Sequence, residues 1–261
     1  MATLLTVISD ADEFNLLISP VSNLAKAFGY KILVTTFRDK DNSKKQQCPQ
    51  CENIEFVASS EDLPFTIRHH TEDIGRDIQL VMFSEKNIFH SRKRKAIKNL
   101  SALRKLKVPY LIVPESLNPT WQPENIYFPL CLRDGEKEAS AWAAHWTKYN
   151  RSNLKIIHPV FKDPDQQKRL WLVFLFIQRL FKRSNIPHET RALGHRQKEV
   201  RNTIPSLPEP SGQNLIIFPA TRYYSPEYYF TGPPEFRLLK NRGNTPVLFV
   251  NPRNDLYVPC G

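Results

Sequence analysis

The sequence predicts two successive α/β domains, each a parallel sheet with helices on both faces. Three observations carry this. Short apolar runs alternate with amphipathic, helix-like stretches along the whole chain. The runs are continuous rather than alternating, as in strands buried on both faces. Near residue 124 the order of elements restarts, and each half ends on a similar Pro-containing strand, VPYLIVP at 108–114 and TPVLFVNP at 245–252. Matching ends and matching order argue for an internal duplication.

TLLTVIS at 3–9 is the first strand. Asp10 and Asp12 then offer side-chain oxygens to cap a helix whose apolar positions are Phe14, Leu17, Ile18, Val21, Leu24 and Ala27, closed by Gly29. KILVTTF at 31–37 is the second strand, and the polar stretch 38–53 reads as an exposed connection. IEFVAS at 54–59 is the third. Residues 61–77 form a helix with Pro64 in its first turn, where a missing N–H costs nothing. IQLVMF at 78–83 is the fourth strand and YLIVP at 110–114 the fifth. Between them lies SRKRKAIKNLSALRKLK, eight basic residues and no acid over 91–107. Ala96, Ile97, Leu100, Leu103 and Leu106 fall at helical spacing and form its buried stripe, which leaves Lys98, Arg104, Lys105 and Lys107 in solvent.

LNPTWQPEN at 117–125 carries two prolines and reads as a linker, dividing a domain of residues 1–116 from one of 124–261. The second domain runs through a strand at 125–132, a helix at 136–149, a strand at 154–161 and a long helix over 163–184 capped by Asp163. Strands follow at 188–193, 214–220 and 246–252. LWLVFLFI at 170–177 is apolar all round for two turns, so its helix is expected to be covered on more than one side, by its own domain, the other domain or a second chain.

Composition sets the outer bounds. A chain of 261 residues that is 41% hydrophobic and 24% charged folds, with room for two cores. Its net charge of +11 makes contact with nucleotides, nucleic acid or acidic lipid electrostatically easy without making any of them specific. The amino-terminal stretch is a poor secretory signal, having no basic region before its apolar run, so a cytoplasmic location is expected. The longest apolar run is shorter than the ~20 residues a membrane span needs. Four scattered cysteines make no disulfide framework and are expected to be reduced.

Two short motifs invite chemistry. Cys48-Pro-Gln-Cys51 lacks a second ligand pair at zinc spacing and sits in a polar loop rather than at a helix start, so it reads as exposed and silent. His69 and His70 are adjacent on a helix, point about 100° apart, and read as surface residues rather than ligands. No nucleophile-base pair or carboxylate pair is evident, and no metal site is expected. YYSPEYYF at 223–230, beside Arg222, reads as a packed loop or lid rather than a base-stacking platform.

With IYFP leading into EASAWAAHW, and with the two terminal strands VPYLIVP and TPVLFVNP, the chain resembles a tandem, two-domain member of the universal stress protein family, of adenine nucleotide alpha hydrolase-like fold. The resemblance implies an α/β architecture of two tandem doubly wound domains, each with a mostly parallel five-stranded sheet between helix layers. It implies a cytoplasmic stress-response or regulatory binding module without catalytic activity, its two repeats paired as an intramolecular pseudo-dimer. It also implies where ATP or another adenine nucleotide would sit: on an acidic residue ending the first strand, on the second strand's backbone, and on a glycine-rich loop after the fourth. Asp10 stands at the acidic position of the first half, and Cys131, with Asp134 close behind, at that of the second.

The glycines are missing. The first loop, from Ser84, has none, and the second has only Gly232, followed by Pro233 and Pro234. Backbone N–H groups approach phosphate closely where glycine permits it, so ATP binding in the family's usual mode is not expected, and no resident cofactor is. Arg92, Lys93, Arg94 and Lys95 stand at a helix start, where cations oppose the helix dipole. Arg92 and Arg94 are therefore the residues expected to meet an anion if the first domain takes one. Two alternatives follow from the resemblance: a soluble regulatory domain related to cation/proton antiporters, with a membrane-protein partner, and an ATP-binding or ATP-hydrolysing universal stress protein. A homodimer through the helix at 168–181 is a further expectation, and nucleic-acid binding is not expected.

Overall fold

A computed structural model describes residues 1–37, 54–58, 62–89, 92–209, 212–221, 228 and 232–252. The chain divides into two compact units, Met1–Gln122 and Pro123–Gly261. Cys48, Cys51 and all of the 223–230 aromatic cluster except Tyr228 lie outside the described residues.

Unit 1 runs β1 (Thr3–Ile8), α1 (Ala11–Phe28), β2 (Lys31–Thr36), β3 (Ile54–Ala58), α2 (Leu63–Glu72), β4 (Ile78–Ser84), α3 (Lys86–Phe89), α4 (Lys93–Leu103) and β5 (Tyr110–Val113). Its strands pair in the order β3-β2-β1-β4-β5, and every described pairing is parallel. All residues of β1 and β5 are buried, in keeping with their continuous apolar runs. Parallel crossovers are right-handed. Connections that run outward from β1 to β2 and back from β3 to β4 therefore fall on opposite faces, and α2 packs on α4 while α1 packs on β1, β2 and β4.

Unit 2 repeats the plan with β6 (Asn125–Pro129), α5 (Glu136–Asn150), β7 (Asn153–His158), α6 (Pro164–Arg183), β8 (His188–Ala192), α7 (Gln197–Thr203), β9 (Asn214–Pro219), α8 (Pro234–Asn241) and β10 (Val247–Val250). Its order, β8-β7-β6-β9-β10, is that of unit 1 strand for strand, again parallel throughout the described pairings. Helices α5 and α6 pack together, and α8 packs on a 3-10 turn, Ile204–Ser206, that continues α7.

Several sequence expectations change in the structure, and one helix was not expected. The helix expected over 61–77 ends at Glu72, because the Asp73 side chain caps a separate 3-10 turn at Ile74–Arg76. The stretch 117–125 holds the boundary between the units, and within it Leu117 and Trp121 are buried. In α4 the stripe includes Asn99 and leaves Ile97 half-buried. Helix α7 had no expectation at all, its seven polar-rich residues offering only Val200 to the core. Within the chain, α6 buries Leu170, Ile177 and Phe181 and leaves Trp171, Leu172 and Phe176 exposed, so its own fold covers one stripe of it.

Candidate functional site

Doubly wound sheets bind ligands beyond the carboxyl ends of the strands, where neighbouring strands send their connections to opposite faces. In unit 1 that point lies between β1 and β4, and the chain fills it with a carboxylate of its own. Asp10 caps α1 by accepting from the Glu13 N–H at 2.9 Å, which fixes Glu13 in the first turn with its side chain turned back over the strand ends. There Glu13 is buried. Its Oε2 accepts from the Ser9 N–H at 2.7 Å and the Ser9 hydroxyl at 2.8 Å, and its Oε1 from the Ser84 N–H at 3.1 Å and the Asn87 amide at 2.6 Å. One carboxylate thus ties the end of β1 to the end of β4. Burial raises its pKa, against the pull of those hydrogen bonds.

Asp10 is also committed, through a 2.7 Å ion pair with Lys86. Burial pushes its pKa up, but the bonds from Lys86, the Glu13 N–H and Ser9 outweigh it, and the carboxyl sits below its ordinary value. Arg92 and Arg94 are exposed at the start of α4, Arg92 without a side-chain capping bond. Neither pairs with an acid among the described residues.

In unit 2 two carboxylates divide the work that Glu13 does alone. Glu136 accepts from the Cys131 N–H at the end of β6, and the N–H groups of Leu132 and Arg133 also bond to it. Burial pushes it up to about 7 despite those bonds. Glu235, fully buried at the start of α8, accepts from the Thr221 N–H just beyond β9. Cys131 is buried, and its thiol is pushed up to about 12 by burial and then by the Glu136 charge, so it is no thiolate nucleophile. Asp134, expected from its sequence position to be the acid of this half, is exposed on the turn beyond. Gly232, at φ 79°, is a turn glycine lodged against Phe236, and its N–H already bonds the Tyr228 carbonyl at 3.0 Å.

Beside these acids lies a guanidinium cluster that no sequence pattern marks. Arg133 stacks 4.8 Å over the Phe218 ring, donates to the Thr221 hydroxyl, and lies 3.9 Å from Glu235. Arg201 and Arg237 line the neighbouring groove between α7 and α8, with Phe218 and Pro234. Burial lowers the Arg201 pKa, and the nearby Arg133 and Arg237 charges lower it further.

The paired histidines separate. His69 is exposed and stacks on Phe65, whereas His70, read from sequence as a surface residue, is buried and bonds the Thr35 hydroxyl and Arg76. Burial, then the Arg76 and His69 charges, lower the His70 pKa to about 4. No group of three or more metal-ligating side chains occurs among the described residues.

Of the acids, Asp10-x-x-Glu13 was findable, because a capping residue followed three positions later by Glu marks a reciprocal box. Glu136 and Glu235 follow strands by unequal spacings, and no local pattern marks them.

No family model matches the chain, and no curated protein matches it. Solved structures do. A universal stress protein from Archaeoglobus fulgidus superposes with a TM-score of 0.65 at 13% identity, over 97% of each chain. A protein of unknown function from Pseudomonas aeruginosa gives 0.63 at 12% identity, over 96% of this chain and 92% of that one. At such identities the likeness is one of fold.

Proposed function

We propose that this chain, which has the universal stress protein fold, is a stress-response-type regulatory module built as a tandem of two such domains, and that it takes no ATP through a phosphate loop. One observation carries the second half of the reading. The strand-end N–H groups of Ser9, Ser84, Cys131 and Thr221, the donors nearest the switch points, are already held by the carboxylates of Glu13, Glu136 and Glu235. A phosphate arriving there meets strand-end donors already bonded to carboxylates, and unmaking bonds to a buried acid is costly. The glycine-poor loops agree with this. The shared strand order of the two units supports the tandem reading.

The reading makes the chain a binding partner rather than a catalyst: Glu13, Glu136 and Glu235 each accept from strand-end backbone N–H groups, and burial holds the Cys131 thiol in its protonated form. Thermal melting with millimolar Mg-ATP tests it. The expected result is an unchanged midpoint and no nucleotide retained in native mass spectra of the purified chain. A saturable rise in midpoint, which a ligand specific to the native state must cause, overturns it, and turnover of that ATP revives the enzyme reading.

A further inference from the structure

Helix α6 presents an outer face that water does not suit. Its buried stripe is Leu170, Ile177 and Phe181, and away from that stripe Trp171 is 55% exposed, Leu172 54% and Phe176 41%. Leu172 and Phe176 are four residues apart, and so are Trp171 and the half-buried Leu175, which makes the four a continuous two-turn patch. Val160, 44% exposed, adds to the apolar surface of the segment leading into the helix.

Cations bracket this patch. Lys168 and Arg169 precede it, Arg179, Lys182 and Arg183 follow it, and all five are exposed. Lys137, on α5, sets its ammonium 5.2 Å from the Phe176 ring. The only acid of α6 is Asp165, in its first turn. None of the five helix cations pairs with a carboxylate among the described residues.

Charge decides what covers such a face. A second copy laid on it antiparallel sets Lys168 and Arg169 against Lys182 and Arg183, and laid parallel sets each cation against itself, so self-association is opposed in either sense. A helix-binding protein groove reads a narrow stripe of anchors. Here Trp171 and Phe176 stand about 140° apart around the helix with cations on the same arc, a broad footprint suited to a flat surface. Aromatic and aliphatic groups flanked by Lys and Arg on an in-plane helix are what the boundary of an anionic bilayer accepts, the long basic stems reaching outward to phosphate. No described helix is long and apolar enough to cross a membrane, so the helix lies on the surface.

We infer that α6 docks on an anionic phospholipid surface, with Trp171, Leu172 and Phe176 entering the headgroup-acyl boundary and Lys168, Arg169, Arg179, Lys182 and Arg183 on headgroup phosphates. This goes beyond the regulatory reading and is independent of it. Co-sedimentation of the full chain with vesicles of phosphatidylcholine, with and without phosphatidylserine, tests it. The expected result is binding only to the serine-containing vesicles, weakened by salt, with a blue shift of tryptophan emission that Trp171→Ala removes. Leu172→Ser with Phe176→Ser reduces binding at least ~10-fold, and Lys182→Ala with Arg183→Ala about 25-fold, near fivefold per cation. Because these side chains are exposed, all variants keep the parent's melting temperature. Absence of vesicle binding, equal binding to neutral vesicles, or binding undiminished in the Ser variants overturns it. So does sedimentation velocity showing a dimer, or a complex with an acidic protein, that the Ser variants dissolve while vesicles go unbound.

Discussion

Glu13, only 2% exposed, gathers four donors, and it shows how far one residue's role departs from what its type suggests. A glutamate in a helix's first turn reads as surface charge favourable to the helix dipole; here it is the clasp between two strands. Cutting it back to alanine leaves the buried Ser84 N–H and Asn87 amide, and the half-buried Ser9 N–H, without their acceptor. Glu13→Ala is expected to lower unfolding free energy by about 3 kcal/mol in urea titration. Glu13→Gln, which keeps one strong acceptor, is expected to lose about half as much. Equal and small losses in both would mean that water reaches the strand ends. The Asp10-x-x-Glu13 spacing made the capping legible, but not the reach to Ser84 and Asn87, which lie 71 and 74 residues further along the chain. Such a contact exists only once β4 has been laid beside β1. The same reason hides Glu136, Glu235 and the Arg133 cluster.

At the scale of elements, the strands were the most legible, because burial on both faces forces short continuous apolar runs; the one such run that is helical, LWLVFLFI at 170–177, is longer than any of them. Helix α6 shows where periodicity stops informing. Its apolar residues go all round, so the sequence announces extra burial, yet the fold covers only the stripe of Leu170, Ile177 and Phe181. An all-round pattern records every surface the helix meets, including surfaces outside the chain. Truncations separate the two kinds of apolar position. Ile177→Ala and Phe181→Ala are each expected to cost about 3 kcal/mol through lost transfer and cavity terms. Leu172→Ala is expected to stay within about 0.5 kcal/mol. Urea denaturation of the three variants checks this; a large cost at Leu172 would place that face inside the folded chain.

For the molecule as a whole, the two units share one strand order, but the buried groups whose protonation their surroundings shift differ between them. His70, in unit 1, has its pKa lowered to about 4, so the unfolded chain binds its proton more readily. Its contribution is full above the ordinary histidine value and is lost as pH falls toward about 4. Glu136, in unit 2, is raised to about 7, so here the native state binds the proton more readily. Its unit is favoured below the ordinary glutamate value and weakens as pH rises toward about 7. Between about pH 5 and about pH 7 each linkage spans about 2 kcal/mol, with opposite signs. Glu13, its pKa also raised, works against His70 inside unit 1, so the comparison must be made against variants. Hydrogen exchange followed by mass spectrometry reads the two units separately. The destabilisation of unit 1 by His70→Gln is expected to be larger near pH 7 than near pH 5. Glu136→Gln is expected to stand better relative to the parent near pH 7, where the parent bears a buried charge. If both differences are flat across that range, the two buried groups do not titrate as their surroundings require, and the units answer pH alike.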